Sequence, residues 1–379
     1  MRKPLVNDEK LQLPSDANVD RTREAVETGD LPYVLTLDEA VSLCRNWGDS
    51  GGFLHLLFGG KGLGLVEMKA DGLPVPPGFV LTRQYWQDSS AQGNLPADKA
   101  DRVKAEFEKG ADWLETTIGR QLGNPDNPLI LAVRSSPIRS MPGAMLTVTN
   151  VGINDKTIKA LMNKIGKKPA LQAYYHLIND ISEGQGITSD ERISETKAGL
   201  PLEAMSETQL MSLVDEAKRV YHDKFGVAFP QDVNMQLNMA IGLVLTSYDS
   251  KNAQDFRSKN NLPDSEGTAC IIAEIIFGNV VGGGSGVIIS RDPETFSDEP
   301  VITYRSAAQG KSVVGDNTNT TVTLANFPDD IKDQIENVLS HFKNKSPHGV
   351  FDLEFSVDIA RRVWGCYRKD WRRFQIWPG

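Results

Sequence analysis

The chain has 379 residues, of which 40% are hydrophobic and 24% charged, and its formal net charge is −9. This length and composition are typical of a globular protein with a large core and two or three domains. The acidic balance argues against broad binding to nucleic acid or to an anionic membrane, and no apolar run reaches the roughly 20 residues of a membrane span. The N-terminal residues lack the apolar segment of a signal peptide, so we expect a cytoplasmic protein.

The cysteines and histidines form no recognisable site. Cys44, Cys270 and Cys366 are scattered along the chain and odd in number. They therefore predict neither a disulfide framework nor a zinc pattern. The five histidines also lack the spacing of metal ligands. An anionic ligand would have to be bound by arginines and lysines.

A glycine-rich stretch follows a polar N-terminal extension that we assign to residues 1–47, with one short helix near residues 36–45. Glycines at positions 59, 60, 62 and 64 surround Lys61. Such glycines let backbone amides approach a phosphate, with a helix over residues 63–70 behind them. The spacing is not that of the nucleotide-binding P-loop, because no Ser or Thr follows the lysine at the required place. A tight turn that feeds a helix is the alternative interpretation.

A second candidate segment follows a predicted strand at residues 79–81 and a predicted helix at residues 99–122. The apolar run at residues 129–133 predicts a buried strand, and Arg134, Ser135 and Ser136 follow where it would emerge. Arg139 and a loop at residues 140–143, whose proline and glycine suit mobility, come next. Arginine and serine side chains are natural partners of phosphate. Solvated surface is the alternative interpretation.

The middle of the chain is predicted to be helical and structural. From residue 156 to about residue 260, apolar residues recur at steps of three and four, and Ser206 is well placed to begin one of the helices. The β-branched run at residues 269–277, the glycines at 282–286 and the run at 287–290 then predict two strands joined as a hairpin. A helix at residues 328–342 precedes the last predicted element.

That last element is a hairpin over residues 351–368. Asp352 and Glu354 alternate with apolar residues, so both acids project from one face of the first strand. Cys366 and Arg368 on the returning strand could share that face and meet the acids. Carboxylates beside an arginine suit Mg²⁺ and a polyphosphate, because Mg²⁺ is bound by one or two protein carboxylates together with phosphate oxygens. An exposed polar face on an edge hairpin is the alternative.

Taken in order, these segments resemble the nucleotide-binding part of the pyruvate phosphate dikinase and phosphoenolpyruvate synthase family. The segments that carry the resemblance are GGKGLGLVEMKADGLPVPPGF, LAVRSSPIRSMPGAMLTVTNVGIND, VAFPQDVNMQL, GTACIIAEIIFGN, SGVIISRDP, AAQGKSVVG and FDLEF. The resemblance implies an α+β class with an ATP-grasp fold, in which two α/β parts enclose MgATP. It implies an N-terminal part at residues 48–155, a helical insertion at 156–258 and a C-terminal part with a metal-binding hairpin at 259–379.

The resemblance also implies the site residues. Lys61, Arg134 and Arg368 would be the catalytic cations that oppose charge on the transferred phosphoryl group. Asp352 and Glu354 would bind the metal, so ATP and Mg²⁺ are the expected cofactors. The nucleotide would further contact residues of the glycine turn and of the loop that covers the site: Gly60, Gly62, Ser140, Met141, Pro142 and Gly143.

Departures from the family pattern leave several functions open. Cys366 and Ala273 stand where the resemblance would place glutamines, and Leu146 where it would place an aspartate. None of the five histidines lies in the family's carrier motif, and we expect no pyruvate-binding barrel after Gly379. We therefore expect an ATP-dependent phosphotransferase whose acceptor is a small molecule or a separate phosphohistidine carrier protein. An ATP-grasp ligase that forms an acyl phosphate, and a nucleotide-binding regulatory subunit without catalysis, are the alternatives.

Overall fold

A computed structural model describes residues 31–47, 51–92, 95, 97–188, 190–191, 200–290, 297, 299–309, 320–345, 351–360 and 362–370. Two five-stranded antiparallel sheets, one pair of short parallel strands and a large helical region make up this part of the chain, which confirms the predicted α+β class. Among the described helices, none is long and apolar enough to cross a membrane.

The first sheet has the strand order β1-β2-β7-β5-β6, and its neighbouring strands are antiparallel. The sequence predicts a variable extension over residues 1–47, yet within that range β1 forms the edge of this sheet. A separate parallel pair of two-residue strands, β3 and β4, lies beside it. The strands are β1 (Val34–Thr36), β2 (Gly78–Leu81), β3 (Gln121–Leu122), β4 (Pro128–Leu129), β5 (Leu131–Pro137), β6 (Thr147–Val151) and β7 (Thr268–Glu274).

The second sheet has the strand order β10-β9-β8-β11-β12 and is antiparallel throughout. Its strands are β8 (Gly284–Ile289), β9 (Val301–Ser306), β10 (Thr320–Val322), β11 (Phe351–Val357) and β12 (Val363–Asp370). Strands β11 and β12 confirm the predicted C-terminal hairpin. The predicted hairpin over residues 269–290 is wrong, because β7 pairs with β2 and β5 in the first sheet while β8 belongs to the second.

The described helices confirm the helical character predicted for residues 156–260. At the start of that range, Gly166 has a φ of 94°, and it ends one helix and begins the next. Ser206 begins a helix through a reciprocal capping box with Gln209, as predicted. The helices are α1 (Leu37–Trp47), α2 (Gly51–Ala70), α3 (Arg83–Gln92), α4 (Ala97–Ile118), α5 (Ile158–Ile165), α6 (Lys167–Gly184), α7 (Glu207–Phe225), α8 (Val233–Thr246), α9 (Lys251–Lys259) and α10 (Asp329–Lys345).

The first sheet separates two hydrophobic cores because alternate residues of its strands face opposite sides. Phe79 and Ile272 pack with α4 and the helical region in one core. Val80 and Ile271 face the other way and pack with α1, α2, α10 and the second sheet. The second core therefore joins the two sheets, and the space that remains between them forms the candidate site.

Candidate functional site

A cleft of about 470 Å³ lies between the two sheets. This volume is within the range of pockets that enclose small-molecule ligands. The first sheet, α2, the loop after β5, the segment between β7 and β8, and strands β8 and β11 all contribute to its walls. The residues that line it are Lys61, Leu65, Pro76, Ala132, Arg134, Gly143, Met145, Leu146, Thr147, Thr149, Glu183, Ile271, Ala273, Glu274, Ile275, Ile276, Gly286, Val287, Gln309, Glu354, Phe355 and Ser356.

The glycine turn of α2 is held in place by a serine of the first sheet. Gly59 interrupts the helix with φ 67° and ψ 178°. The fully buried Ser136 hydroxyl donates to the Phe58 carbonyl at 2.7 Å and accepts from the Gly62 amide at 2.8 Å, so it bridges the interruption. A Cβ on Gly59 would lie 1.7 Å from the Ser136 carbonyl oxygen. The close approach and the positive φ together require glycine at position 59.

This turn presents Lys61 to the cleft at the start of the second helical segment of α2. Burial lowers the pKa of the Lys61 ammonium, the Glu354 carboxylate acts to raise it, and the Arg134 guanidinium lowers it further. Lys61 therefore lies within electrostatic reach of Glu354 and Arg134, two other residues predicted for the site. Gly60 and Gly62, predicted to contact a nucleotide, are not among the lining residues of the described chain, and the Gly62 amide already donates to Ser136.

Arg134 belongs to the interior of β5, because the strand continues to Pro137 instead of ending at residue 133 as predicted. The pairing register places it beside Ile271 on β7 and Thr147 on β6. Residues paired in this way project to the same face of a sheet, and all three line the cleft. Ser135 and Ser136, predicted as phosphate partners, are buried, and the exposed Arg139 pairs instead with Glu266 at 3.2 Å.

The acidic pair lies on β11, as the alternation predicts. Phe351, Leu353 and Phe355 are buried in the second core, while Asp352 and Glu354 are half-buried between them. Glu354 lines the cleft, whereas Asp352 is not among its lining residues in the described chain. Of the two acids, Glu354 is thus the one placed to hold a metal ion that also binds a ligand in the cleft.

The register of the hairpin differs from the predicted one. Tyr367 and Lys369 pair with Glu354 and Asp352, so Arg368 is paired with Leu353 and with neither acid. The physical reason is an irregularity between Glu354 and Phe355, where β12 skips one residue, Cys366, in the pairing. The side chains of Cys366 and Arg368 lie outside the described part of the structure.

The loop predicted to cover the site is only partly over the cleft. Of its four residues, Gly143 lines the cleft, whereas Ser140, Met141 and Pro142 are absent from the lining among the described residues. Met141 is buried elsewhere, and Pro142 and Gly143 are exposed. The predicted contacts of this loop with a nucleotide therefore remain predictions for all four of its members.

Several lining residues were not predicted from the sequence. Thr147 and Thr149 on β6 alternate with the buried Val148, and this two-residue period is a signal that could have identified them. Glu183 near the end of α6 and Gln309 after β9 have no such signal, because folding alone brings them to the cleft. Leu146 and Ala273, noted above as departures from the family pattern, also line the cleft.

The donor set of the cleft fits a magnesium nucleotide. Lys61 and Arg134 supply two cations for a polyphosphate, and Glu354 supplies a carboxylate for the metal. No group of three or more His, Cys, Asp or Glu side chains that could hold a metal ion by itself occurs in the described chain. The apolar lining residues suit a base: Leu65, Pro76, Ala132, Ile271, Ile275 and Val287.

Comparisons with known proteins show what the chain is similar to. Residues 99–334 match the family described as "Pyruvate phosphate dikinase, AMP/ATP-binding domain". The chain is 34% identical to pyruvate, phosphate dikinase 2 of Oryza sativa subsp. japonica over 322 residues, which cover 81% of the chain and 35% of that relative. It is 33% identical to the chloroplastic pyruvate, phosphate dikinase of Flaveria pringlei over 349 residues, which cover 88% of the chain and 35% of the relative. The chain thus spans about a third of the length of the curated relatives it matches.

Proposed function

The chain belongs to the pyruvate phosphate dikinase family, and from that premise we propose that it is an ATP-dependent phosphotransferase that binds MgATP in the cleft between its two sheets. One observation carries the proposal. Lys61, Arg134 and Glu354 come from three distant segments of the sequence, yet they line the same cleft with charges suited to polyphosphate and metal.

The polyphosphate would lie between the cations of the first wall and the carboxylate of the second. Lys61 and Arg134 would bind the phosphate oxygens and favour the charge that develops on them during transfer. Glu354 would hold Mg²⁺, with Asp352 two positions away on the same strand face. When bound, the metal neutralises phosphate charge and aligns the phosphoryl group. Catalysis of this kind requires positioning and electrostatics instead of a covalent intermediate on the protein.

The base would occupy the apolar part of the cleft. Ala132 on β5 pairs with Ala273 on β7, so two small side chains form part of the floor. Leu65, Ile275 and Val287 add apolar surface to the same cleft. A flat aromatic base buries its faces well against such a surface. Ala132 and Ala273 leave room that larger side chains would fill.

The acceptor would enter on the side of β6. Thr147 and Thr149 lie on that edge strand, and Glu183 extends the cleft into the helical region. The carboxylate of Glu183 disfavours an anionic acceptor and favours a neutral or cationic one. A small molecule with a hydroxyl group, or the imidazole of a separate phosphohistidine carrier protein, meets this condition.

Calorimetric titration with MgATP, followed by separation of ADP and AMP after incubation with a metabolite extract, tests the proposal. We expect the wild-type chain to bind MgATP and to form ADP or AMP, and we expect Glu354→Gln to lose turnover. AMP would indicate dikinase-type cleavage, and ADP a simple kinase or a ligase. Binding without turnover in any extract would favour a nucleotide-binding subunit, and absence of MgATP binding would overturn the proposal.

A further inference from the structure

The loop after β5 is attached to a small hydrophobic cluster that belongs to neither of the two large cores. Met141 is 7% exposed and packs with the buried residues Tyr248 and Ala253. Ala144 and Met145 of the same loop pack against this cluster. The loop therefore has its own anchor, which lies at the end of the helical region instead of in the sheet from which the loop emerges.

Polar contacts attach the loop to the same segment at both of its ends. The Leu146 amide donates to the Ser247 hydroxyl at 3.1 Å, and the Ser250 hydroxyl donates to the Ala144 carbonyl at 3.5 Å. At the start of the loop, Arg139 pairs with Glu266. Residues 247–266 thus contact the start, the middle and the end of the loop.

The anchor is fixed by groups outside the loop. The Tyr248 ring makes an edge contact with Trp86 of α3 at a centroid distance of 5.2 Å. The guanidinium of the buried Arg257 lies 4.1 Å from the centre of the Tyr248 ring and donates to the Tyr248 carbonyl, while its Nε donates to Asp264 at 2.7 Å. The platform that receives Met141 is therefore held by contacts that do not involve the loop.

We propose that Met141 and Tyr248 are positioning residues, through which the end of the helical region holds the loop at residues 138–146 against the mouth of the cleft. This inference rests on the proposed nucleotide-binding function. Gly143, two residues after Met141, lines the cleft and is exposed. Because Met141 is fixed, Gly143 and Leu146 are held beside the place where the phosphates and the acceptor would meet. The helical region would then act on the site through the loop.

Amide hydrogen exchange of residues 138–146 in the nucleotide-free full chain tests the anchor directly. Met141→Ala removes the buried side chain, and we expect exchange about tenfold faster in the loop, because its opening costs less free energy. Ser247→Ala removes one hydrogen bond and should accelerate exchange about threefold. Met141→Leu keeps the packing and should restore wild-type exchange. Met235→Ala, on α8 and 54% exposed, is the matched control and should leave the loop unchanged.

Titration of the same variants with MgATP tests the positioning role. We expect Met141→Ala to weaken MgATP binding about tenfold, because the loop must be ordered again on binding, and Met141→Leu to restore the affinity. Unchanged loop exchange in Met141→Ala, or faster exchange with unchanged MgATP affinity, would overturn the inference. Absence of MgATP binding by the wild-type chain would overturn the proposed function, whereas the exchange result decides the anchor by itself.

Discussion

The two walls of the cleft hold their charged side chains in different ways. On the first wall, the position of Lys61 depends on two specific features. The buried Ser136 hydroxyl bridges the interruption in α2, and Gly59 has no Cβ that would overlap the Ser136 carbonyl. On the second wall, Glu354 is placed by the simple alternation of a strand whose other residues are buried. The first wall therefore tolerates little local change, whereas the second requires only that the strand form.

Gly59→Ala should produce the largest effect, because it attacks the first wall at its most constrained point. The added Cβ would overlap the Ser136 carbonyl, so we expect the free energy of unfolding to fall by at least about 3 kcal/mol and MgATP binding to be lost. Urea unfolding measures the first effect. Gly72→Ala is the matched control, since Gly72 also has a positive φ of 78°, but an added Cβ there would have no neighbouring atom within 4 Å. This substitution should lower the free energy of unfolding by only about 1 kcal/mol.

Glu354→Gln tests the second wall. Since the strand pattern is unchanged, we expect stability close to that of the wild-type chain but a loss of turnover of about 100-fold, equivalent to about 2.7 kcal/mol. The rate of ADP or AMP formation at saturating MgATP is the measurement. Asp352→Asn should reduce the rate by less than about tenfold, because Glu354 and not Asp352 lines the cleft. An equal loss in both variants would contradict the assignment of Glu354 as the principal metal ligand.

Two buried serines allow the walls to be compared directly. Ser136→Ala removes the hydrogen bonds with Phe58 and Gly62, and Ser285→Ala removes those with Ala308 and Ser356 on the second sheet. Each should lower the free energy of unfolding by about 2 kcal/mol, because buried polar groups lose their partners. Only Ser136→Ala should also weaken MgATP binding, since it releases the turn that carries Lys61. If calorimetric titration gives both variants the same affinity for MgATP, the proposed difference between the two walls is wrong.

The smallest expected effect is a dependence of stability on alkaline pH. Burial lowers the pKa of Lys61 below its ordinary value of 10.5, so the unfolded chain binds this proton more tightly than the folded chain does. The contribution of Lys61 to the free energy of unfolding should therefore rise as pH increases from the lowered pKa towards 10.5. Lys61→Met should abolish that rise. Urea unfolding at a series of alkaline pH values would show it, and identical pH profiles for both proteins would contradict the assignment.

The contrast between the two walls also explains which parts of the molecule could be predicted from the sequence. The alternation of Asp352 and Glu354, the helical region and the capping box at Ser206 all depend on residues close in sequence, and the structure confirms them. The predicted hairpin over residues 269–290 is wrong because β7 pairs with the strands at residues 78–81 and 131–137, which are distant in sequence. Local periodicity carries no information about such partners.

In the candidate site, too, features set by local sequence could be predicted, whereas features set by distant contacts could not. Lys61, Arg134 and Glu354 were identified from motifs, and the structure brings them to one cleft. The role of Ser136 could not be predicted, since a serine after an apolar run is an equally good ligand for phosphate. The pairing of Arg368 with Leu353 depends on an irregularity at Cys366 that no local pattern marks. Glu183 and Gln309 reach the cleft only through the packing of distant elements.

The second hydrophobic core has a thermodynamic consequence. It contains Val80 and Ile271 of the first sheet together with Ile288 and Leu353 of the second, and Met68 of α2 belongs to the same core. Neither sheet can melt without exposing apolar surface of the other, so heat should unfold the two as one cooperative unit. In scanning calorimetry this predicts equal van't Hoff and calorimetric enthalpies for the transition that includes both walls. A ligand that binds either wall would then raise the melting temperature of the whole unit.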